Sequence, residues 1–386
     1  MSARQHEVLV IGGGPAGAAL AIHLARAGRE VLLVEKEPAA HDKVCGEFLS
    51  TEAIGCLREL GLDPLHLGAV AIGQVRVIRK STVAENRLPF SALSLTRRVL
   101  DEALLTRAQQ NGVKILRGQR VQNLAQPEKL WQAQLANGET LRADSVFLAT
   151  GKHDLRGWKR RGGLQNDLIA FKMHWRLSPR QQAELTRQVE LILFPGGYCG
   201  LEPVETGIAN LCLLIRQDTY QRIGSSWDKL LRHLTSSSPH LSRRLQQAEP
   251  LWTRPLAASS IPYGYVNRRA EQLWRLGDQA AVIPSFSGDG ISIALHSARL
   301  AAGCHLAGKS PAQFQSLFNR SLSHRIKTAA LLSHAMTSPL AQPWLALGAR
   351  LFPVLLRQTA ALTRIPSDAL DFPPTSPRNP GSPQLS

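Results

Sequence analysis

Glu7-Val8-Leu9-Val10-Ile11-Gly12-Gly13-Gly14-Pro15-Ala16-Gly17 is the stretch whose reading decides the fold. Its apolar run suits a strand buried on both faces of a parallel sheet. Gly12, Gly14 and Gly17 follow at G-x-G-x-x-G spacing. The first glycine permits a tight turn, the second lets backbone approach a pyrophosphate, and the third lets a helix pack closely on the strand. Ala18 to Ala27 reads as a small-residue helix closed by Gly28, and Glu30 to Glu35 as a second buried strand. A helix N-terminus placed there offers free N–H groups and partial positive charge to phosphates. Glu35, at the second strand's end, can accept hydrogen bonds from a ribose and repels a 2′-phosphate. NAD or FAD is therefore favoured over NADP.

Motifs further along separate FAD from NAD. They are Thr96-Arg97-Arg98-Val99-Leu100-Asp101, the strand around Val121, Ala149-Thr150-Gly151, Gly277-Asp278 and Gly288-Asp289-Gly290-Ile291. As a series they suit a bound flavin dinucleotide, with Arg97 and Val121 beside it. Asp278, after a short apolar strand, can hold a ribityl hydroxyl. Gly288 and Gly290 let a helix N-terminus face the flavin pyrimidine ring, where its dipole stabilises an anionic reduced flavin.

The expected fold class is α/β: a Rossmann-like FAD-binding domain with a parallel sheet, an inserted antiparallel substrate domain and a helical C-terminal region. The FAD domain is discontinuous, at 1–75, 96–152 and 255–305, because motifs for one cofactor lie on both sides of a change in texture. Segments such as Ala170-Phe171-Lys172-Met173-His174-Trp175 alternate apolar and polar residues, which marks antiparallel strands. The substrate domain takes 76–95 and 153–254, the helical region 306–365, and a Pro- and Ser-rich tail, read as disordered, 366–386. Asn137-Gly138 between two short strands predicts a type I′ hairpin.

Composition narrows the partners. The chain has 386 residues, 44% hydrophobic and 19% charged, so it is globular and long enough for two or three associated domains. Its net charge of +17 points to an acidic partner or an anionic surface. The basic residues are scattered with no reader motif, so nucleic acid is not expected. Five cysteines, with no C-x-x-C pair, suit reduced thiols and a cytoplasmic location. No stretch is apolar enough to span a membrane. Ala329 to Leu362 is apolar but broken by Pro339, Pro343, Arg350, Pro353 and Arg357. It reads as a helical cap over the substrate domain or as a helix in peripheral membrane contact.

At these motifs the chain resembles FAD-dependent oxidoreductases of the p-hydroxybenzoate hydroxylase superfamily, within the geranylgeranyl reductase-like branch. Gly277-Asp278-Gln279-Ala280-Ala281 through Gly288-Asp289-Gly290-Ile291 resembles that branch's GDAA…P…GEGI segment. Cys45-Gly46-Glu47 resembles its CGG loop. Gly197-Tyr198-Cys199-Gly200-Leu201-Glu202-Pro203 resembles its Y-x-W-x-F-P strand, with Gly200 for Trp and Glu202 for Phe. That exchange weighs against a long prenyl substrate. The hydroxylases' D-G motif has no counterpart here, which weighs against direct nicotinamide use. The halogenases' W-x-W-x-I-P is absent too, which weighs against halogenation.

The resemblance implies an FAD-dependent oxidoreductase acting on a hydrophobic small molecule, by hydride transfer at flavin N5. The alternatives are an FAD-dependent monooxygenase of an aromatic or polyketide-like substrate, and a non-catalytic FAD-binding protein. Electrons come from NAD(P)H or from a reduced, acidic protein donor. Cys45, in the resembled loop near flavin and substrate, either lines the pocket or donates a proton. Tyr198 either presents its hydroxyl over the flavin or packs on its sheet. Lys152 and His153 read as solvated rather than phosphate-binding. No pair of histidines has metal-ligand spacing, so no metal is expected.

Overall fold

Glycine makes the opening turn possible. Gly12 has φ +106°, and a Cβ there would lie 2.5 Å from the Ala149 carbonyl oxygen. A Cβ on Gly17 would lie 1.9 Å from the Gly12 carbonyl oxygen, so only glycine lets the first helix sit this close to the turn. The computed structural model describes residues 5–269 and 272–352, together with 354, 357, 358 and 364. The expected tail at 366–386 lies outside the described residues.

The chain runs β1 (Gln5–Ile11), α1 (Pro15–Arg26) and β2 (Val31–Glu35). β3 (Phe48–Leu49) and α2 (Thr51–Glu59) lead to a long hairpin, β4 (Val70–Arg79) and β5 (Thr82–Ser94). α3 (Arg97–Gln110) and β6 (Lys114–Arg117) precede a meander of β7 (Val121–Ala125), β8 (Trp131–Leu135) and β9 (Thr140–Leu148). Then come β10 (Leu168–Arg176), α4 (Pro179–Leu185), β11 (Gln188–Phe194), β12 (Gly197–Pro203) and β13 (Ile208–Arg216). Three helices follow: α5 (Gln217–Arg222), α6 (Trp227–Ser237) and α7 (Pro239–Leu245). Short strands β14 (Glu249–Pro250), β15 (Leu256–Ser259) and β16 (Trp274–Arg275) lead to α8 (Gly290–Leu306), α9 (Pro311–Thr337) and α10 (Gln342–Leu351).

One sheet has the order β6-β2-β1-β9-β8-β7, with β16 also on β9. β1, β2, β6, β9 and β16 pair in parallel, and β7 and β8 join antiparallel. Its apolar runs divide between two cores. Val8, Val10, Leu33 and Phe147 pack with α1 and α8, whereas Leu9, Ile11, Leu32 and Val34 pack with Trp131 and Leu148. A strand buried on both faces needs no alternation, which is why these runs are continuous.

The other sheet has the order β14-β10-β13-β12-β11-β4-β5-β3, with β15 on β10. Every pair is antiparallel except β11 with β4. Phe171, Met173 and Trp175 pack against Leu230 and Leu234 of α6 and Leu241 of α7. The intervening positions, Lys172 and His174, face the other way.

The structure differs from the sequence reading at several points. Residue 76 falls inside β4, which pairs with β5 from Val70, and β15 continues the sheet past residue 254. Only Gly138 has positive φ in the 137–138 turn. A type I′ turn needs positive φ at both central residues, so this is a different hairpin turn, in which Leu135 and Glu139 still pair. The helical region breaks at Ser338, whose extended backbone is the conformation proline imposes on its predecessor.

Candidate functional site

The nucleotide end is built at the tips of β1 and β2. Glu35 is buried, and its carboxylate accepts hydrogen bonds from the Gly13 N–H at 2.6 Å and the Glu37 N–H at 3.0 Å. Gly14 caps α1, and a Cβ there would lie 3.5 Å from the Arg97 guanidinium. Gly277 follows β16, and a Cβ there would lie 3.2 Å from the Ala16 Cβ at the start of α1. The fold thus brings Asp278 to the fingerprint. Asp278 is half-buried, and its carbonyl oxygen accepts a hydrogen bond from Arg160 at 2.9 Å. Val121 is buried in β7, in the core under the meander.

Arg97 joins the fingerprint to the Cys45 loop. Its guanidinium donates to both oxygens of Asp101, at 2.8 and 2.9 Å, and Lys43 donates to Asp101 at 2.8 Å. Burial opposes the Arg97 charge, but Asp101 and the Cys45 sulfur outweigh it and raise the guanidinium pKa. Cys45 is half-buried, and its sulfur accepts the Glu47 N–H at 3.3 Å. The Lys152 ammonium donates to the Val44 carbonyl oxygen, so Lys152 ties two loops together rather than standing solvated.

Behind that loop lies a buried charge cluster. Glu47 is fully buried at φ +65°, a conformation that costs a residue with a side chain. Three donors hold it there. Lys172 donates to Oε1 at 2.5 Å, the Arg97 N–H also reaches Oε1 at 2.8 Å, and His174 Nε2 lies 2.9 Å from Oε2. Burial alone would raise its pKa, but the His174 hydrogen bond and the Lys172 ammonium outweigh that and hold the carboxyl below the usual range. Asp42, Glu47 and His174 converge closely enough to hold a metal ion. The Lys172 ammonium already occupies Glu47, so the donor set suits a salt-bridged anchor better than a cation site.

Register puts more polar groups on the same sheet face. Lys172 pairs with Cys212 and His174 with Asn210, and Asn210 in turn pairs with Glu202 and Cys212 with Gly200. The Asn210 amide donates to the Cys45 and Gly46 carbonyl oxygens, at 3.2 and 3.0 Å. Glu202 is 3% exposed, and its Oε2 has no hydrogen-bond partner. Burial, then the Glu47 carboxylate, push its carboxyl well above the usual range, so it holds its proton more tightly than an ordinary glutamic acid.

Glu202 opens into a cavity between this sheet and the start of α8. Val75, Val77, Phe90, Val189, Leu191 and Phe286 supply most of its wall. Its polar lining comes from Tyr198, Glu202, Cys212, Ser285 and Ser287. The Tyr198 hydroxyl lies 3.3 Å from Ser285 Oγ, and burial pushes its pKa up. Gly288, at φ +72°, lines the cavity against Phe48. Gly290, the first residue of α8, is exposed, and a Cβ there would meet nothing within 4 Å.

These features fit FAD: a glycine cradle at the helix N-terminus, an acidic residue beneath it, and a second helix N-terminus beside an apolar cavity. The structure brings together Gly12, Gly14, Gly17, Glu35, Arg97 and the Gly277-Asp278 turn. Cys45, Gly288 and Tyr198 gather around the cavity and its loop. Sequence reasoning missed Lys172, His174, Asn210 and Glu202 as a group. The signal was present in the alternation of 170–175, which puts Lys172 and His174 on one face.

Comparison with known proteins agrees. The FAD binding domain family matches residues 5–153. Menaquinone reductase of Mycobacterium tuberculosis is 26% identical over 357 residues, covering 87% of this chain and 86% of its own. Tryptophan 2-halogenase of Chondromyces crocatus is 26% identical over 325 residues, covering 77% of this chain and 60% of its own. The flavin-dependent brominase Bmp2 superposes with a TM-score of 0.75 at 19% identity, covering 93% of each chain. Such a likeness shows the fold, and the fold is that of flavin-dependent enzymes. Residues 5–153 form an FAD-binding domain, and the chain is similar along most of its length to flavin-dependent enzymes.

Proposed function

We propose that the chain reduces or dehydrogenates a hydrophobic small molecule held in the Glu202 cavity. The cavity carries this reading: an apolar wall, a few polar groups, and Gly288 in its lining just ahead of α8. Bound FAD supplies the redox chemistry, giving or taking a hydride at N5. The chain supplies the rest. Gly12, Gly14, Gly17, Glu35, Arg97 and Asp278 hold the dinucleotide, with Val121 in the strand beside it. Gly288 and Gly290 set the α8 dipole toward the flavin ring. The apolar walls exclude water. Glu202, which holds its proton more tightly than usual and has an unpartnered oxygen, donates a hydrogen bond and then a proton to the substrate. Tyr198 orients the substrate beside Ser285, and Cys45 lines the loop.

Similarity to a menaquinone reductase along most of both chains supports reduction. The geranylgeranyl reductase-like branch rests on the Cys45-Gly46-Glu47 loop and the segment ending in Gly290-Ile291. A second reading is an FAD-dependent monooxygenase of an aromatic or polyketide-like substrate, in which the reduced flavin reacts with oxygen. With one G-x-G-x-x-G and no D-G motif of the hydroxylases, the sequence favours a reduced protein over NAD(P)H as donor, and the net charge of +17 would speed its encounter if that protein is acidic. Free thiols suit a cytoplasmic location. Among the described residues, no helix is long and apolar enough to cross a membrane.

Oxygen uptake tests the proposal. A reductase turns over quinone or enone substrates anaerobically once the flavin is reduced. Product that forms only with stoichiometric oxygen uptake would move the chain to the second reading.

A further inference from the structure

The C-terminal helices carry an apolar surface on the outside of the molecule. Trp344 is 74% exposed, Leu340 85% and Leu331 69%. Leu347, Leu351, Phe352 and Val354 are exposed too. Trp344, Leu347 and Leu351 recur at helical spacing, so α10 turns an apolar stripe outward. Its opposite side is apolar as well: α10 packs on β4 and β5, and Leu345 joins the cluster of Val77, Tyr198 and Phe286. A helix with apolar residues on both sides needs something other than water against its outer side.

Charge says what that is. From Gly290 to Ser367 the sequence contains no Asp or Glu, but eight Lys and Arg residues. Arg350 and Arg357 are exposed beside the stripe, and the outward line of α9 carries Arg320, His324 and Lys327 ahead of Leu331. Basic residues flanking an exposed tryptophan and leucines match the chemistry of an anionic lipid surface: apolar groups enter the headgroup boundary while guanidinium groups meet phosphates.

We infer that α10 and the end of α9 dock the protein on an anionic bilayer surface. The docked helix covers β4 and β5, two strands of the cavity wall, so the cavity stands next to the phase where an apolar substrate dissolves. The docking itself is independent of which reaction the flavin performs.

Co-sedimentation of the full-length protein with vesicles tests this. Phosphatidylcholine vesicles containing phosphatidylglycerol should bind it, and phosphatidylcholine alone should bind it much less. Binding should weaken between about 0.1 M and 1 M salt, as the Debye length falls from about 10 Å to about 3 Å. Trp344→Glu with Leu347→Glu should lower the partition at least about tenfold. Arg350→Gln should lower it about fivefold. All three sites are exposed, and an unchanged circular dichroism spectrum and FAD content show that the variants fold. No binding to anionic vesicles, or equal binding by the double variant, would overturn the inference. So would a dimer in sedimentation equilibrium that the double variant dissociates, since a second copy would then be the occupant.

Discussion

Replacing Glu202 by methionine separates its cost to the fold from its use in chemistry. The carboxyl is 3% exposed and its Oε2 lacks a partner. An unsatisfied polar group of this kind costs about 1–3 kcal/mol, and methionine fills nearly the same volume without polar atoms. Glu202→Met should therefore stabilise the protein at pH 7 by about 1–3 kcal/mol. The pH dependence has a definite sign. The folded pKa lies above the unfolded value, so the wild type loses stability as pH rises from about 4.3 to the folded pKa. The gain from methionine should thus be smaller at pH 4 than at pH 7. Turnover should fall by about 10²–10⁴, the usual contribution of a positioned proton donor. The assays are denaturant unfolding at both pH values and steady-state turnover with the flavin fully reduced. A destabilised variant with normal turnover would refute the reasoning, because Glu202 would then be a structural group.

Other outcomes follow from the same geometry. Glu35→Arg should weaken FAD binding by about 1–3 kcal/mol, read by absorbance titration, since it removes the acceptor beneath Gly13. Glu47→Gln leaves the Lys172 ammonium buried without its carboxylate and should cost about 3–5 kcal/mol in unfolding. Glu47 has a lowered folded pKa, so its contribution is present above about pH 4.3 and lost as pH falls through the folded value; acid unfolding should be less steep in Glu47→Gln. Anaerobic stopped-flow should show slow flavin bleaching by NADPH or NADH alone, and faster bleaching by an acidic protein donor at low salt. Rapid bleaching by either nicotinamide would exclude a protein donor as the requirement.

Much of this was legible in the sequence because the signals are local. The G-x-G-x-x-G turn needs glycine at fixed places, and its neighbouring strands are apolar throughout because both faces are covered. The antiparallel insertion announced itself by alternation. Its extent did not, because β4 joins β11 in a parallel pair, Gln74 beside Gln188, and no local pattern marks so distant a partner. The charge cluster was hidden for a related reason. Lys172 and Glu47 are 125 residues apart, and a lysine in a strand reads as solvent-facing until the loop that covers it is in place.

The two carboxyls show why the site departs from the pattern it resembles. Glu47 stands where the CGG loop has glycine, and its φ of +65° is the conformation glycine takes without strain. Glu202 stands where the Y-x-W-x-F-P strand has an apolar ring, and Gly200 beside it replaces a second. Each exchange alone buries a carboxyl at a cost. Together they divide the roles, because neighbouring carboxyls in a dry site resist ionising at once. Lys172 and His174 fix the charge on Glu47, and that charge helps keep the proton on Glu202. Two acids whose surroundings push their pKa values apart make an anchor and a donor. The missing rings leave the donor facing the cavity, so a substrate there meets a carboxylic acid where the resembled strand offers an apolar wall.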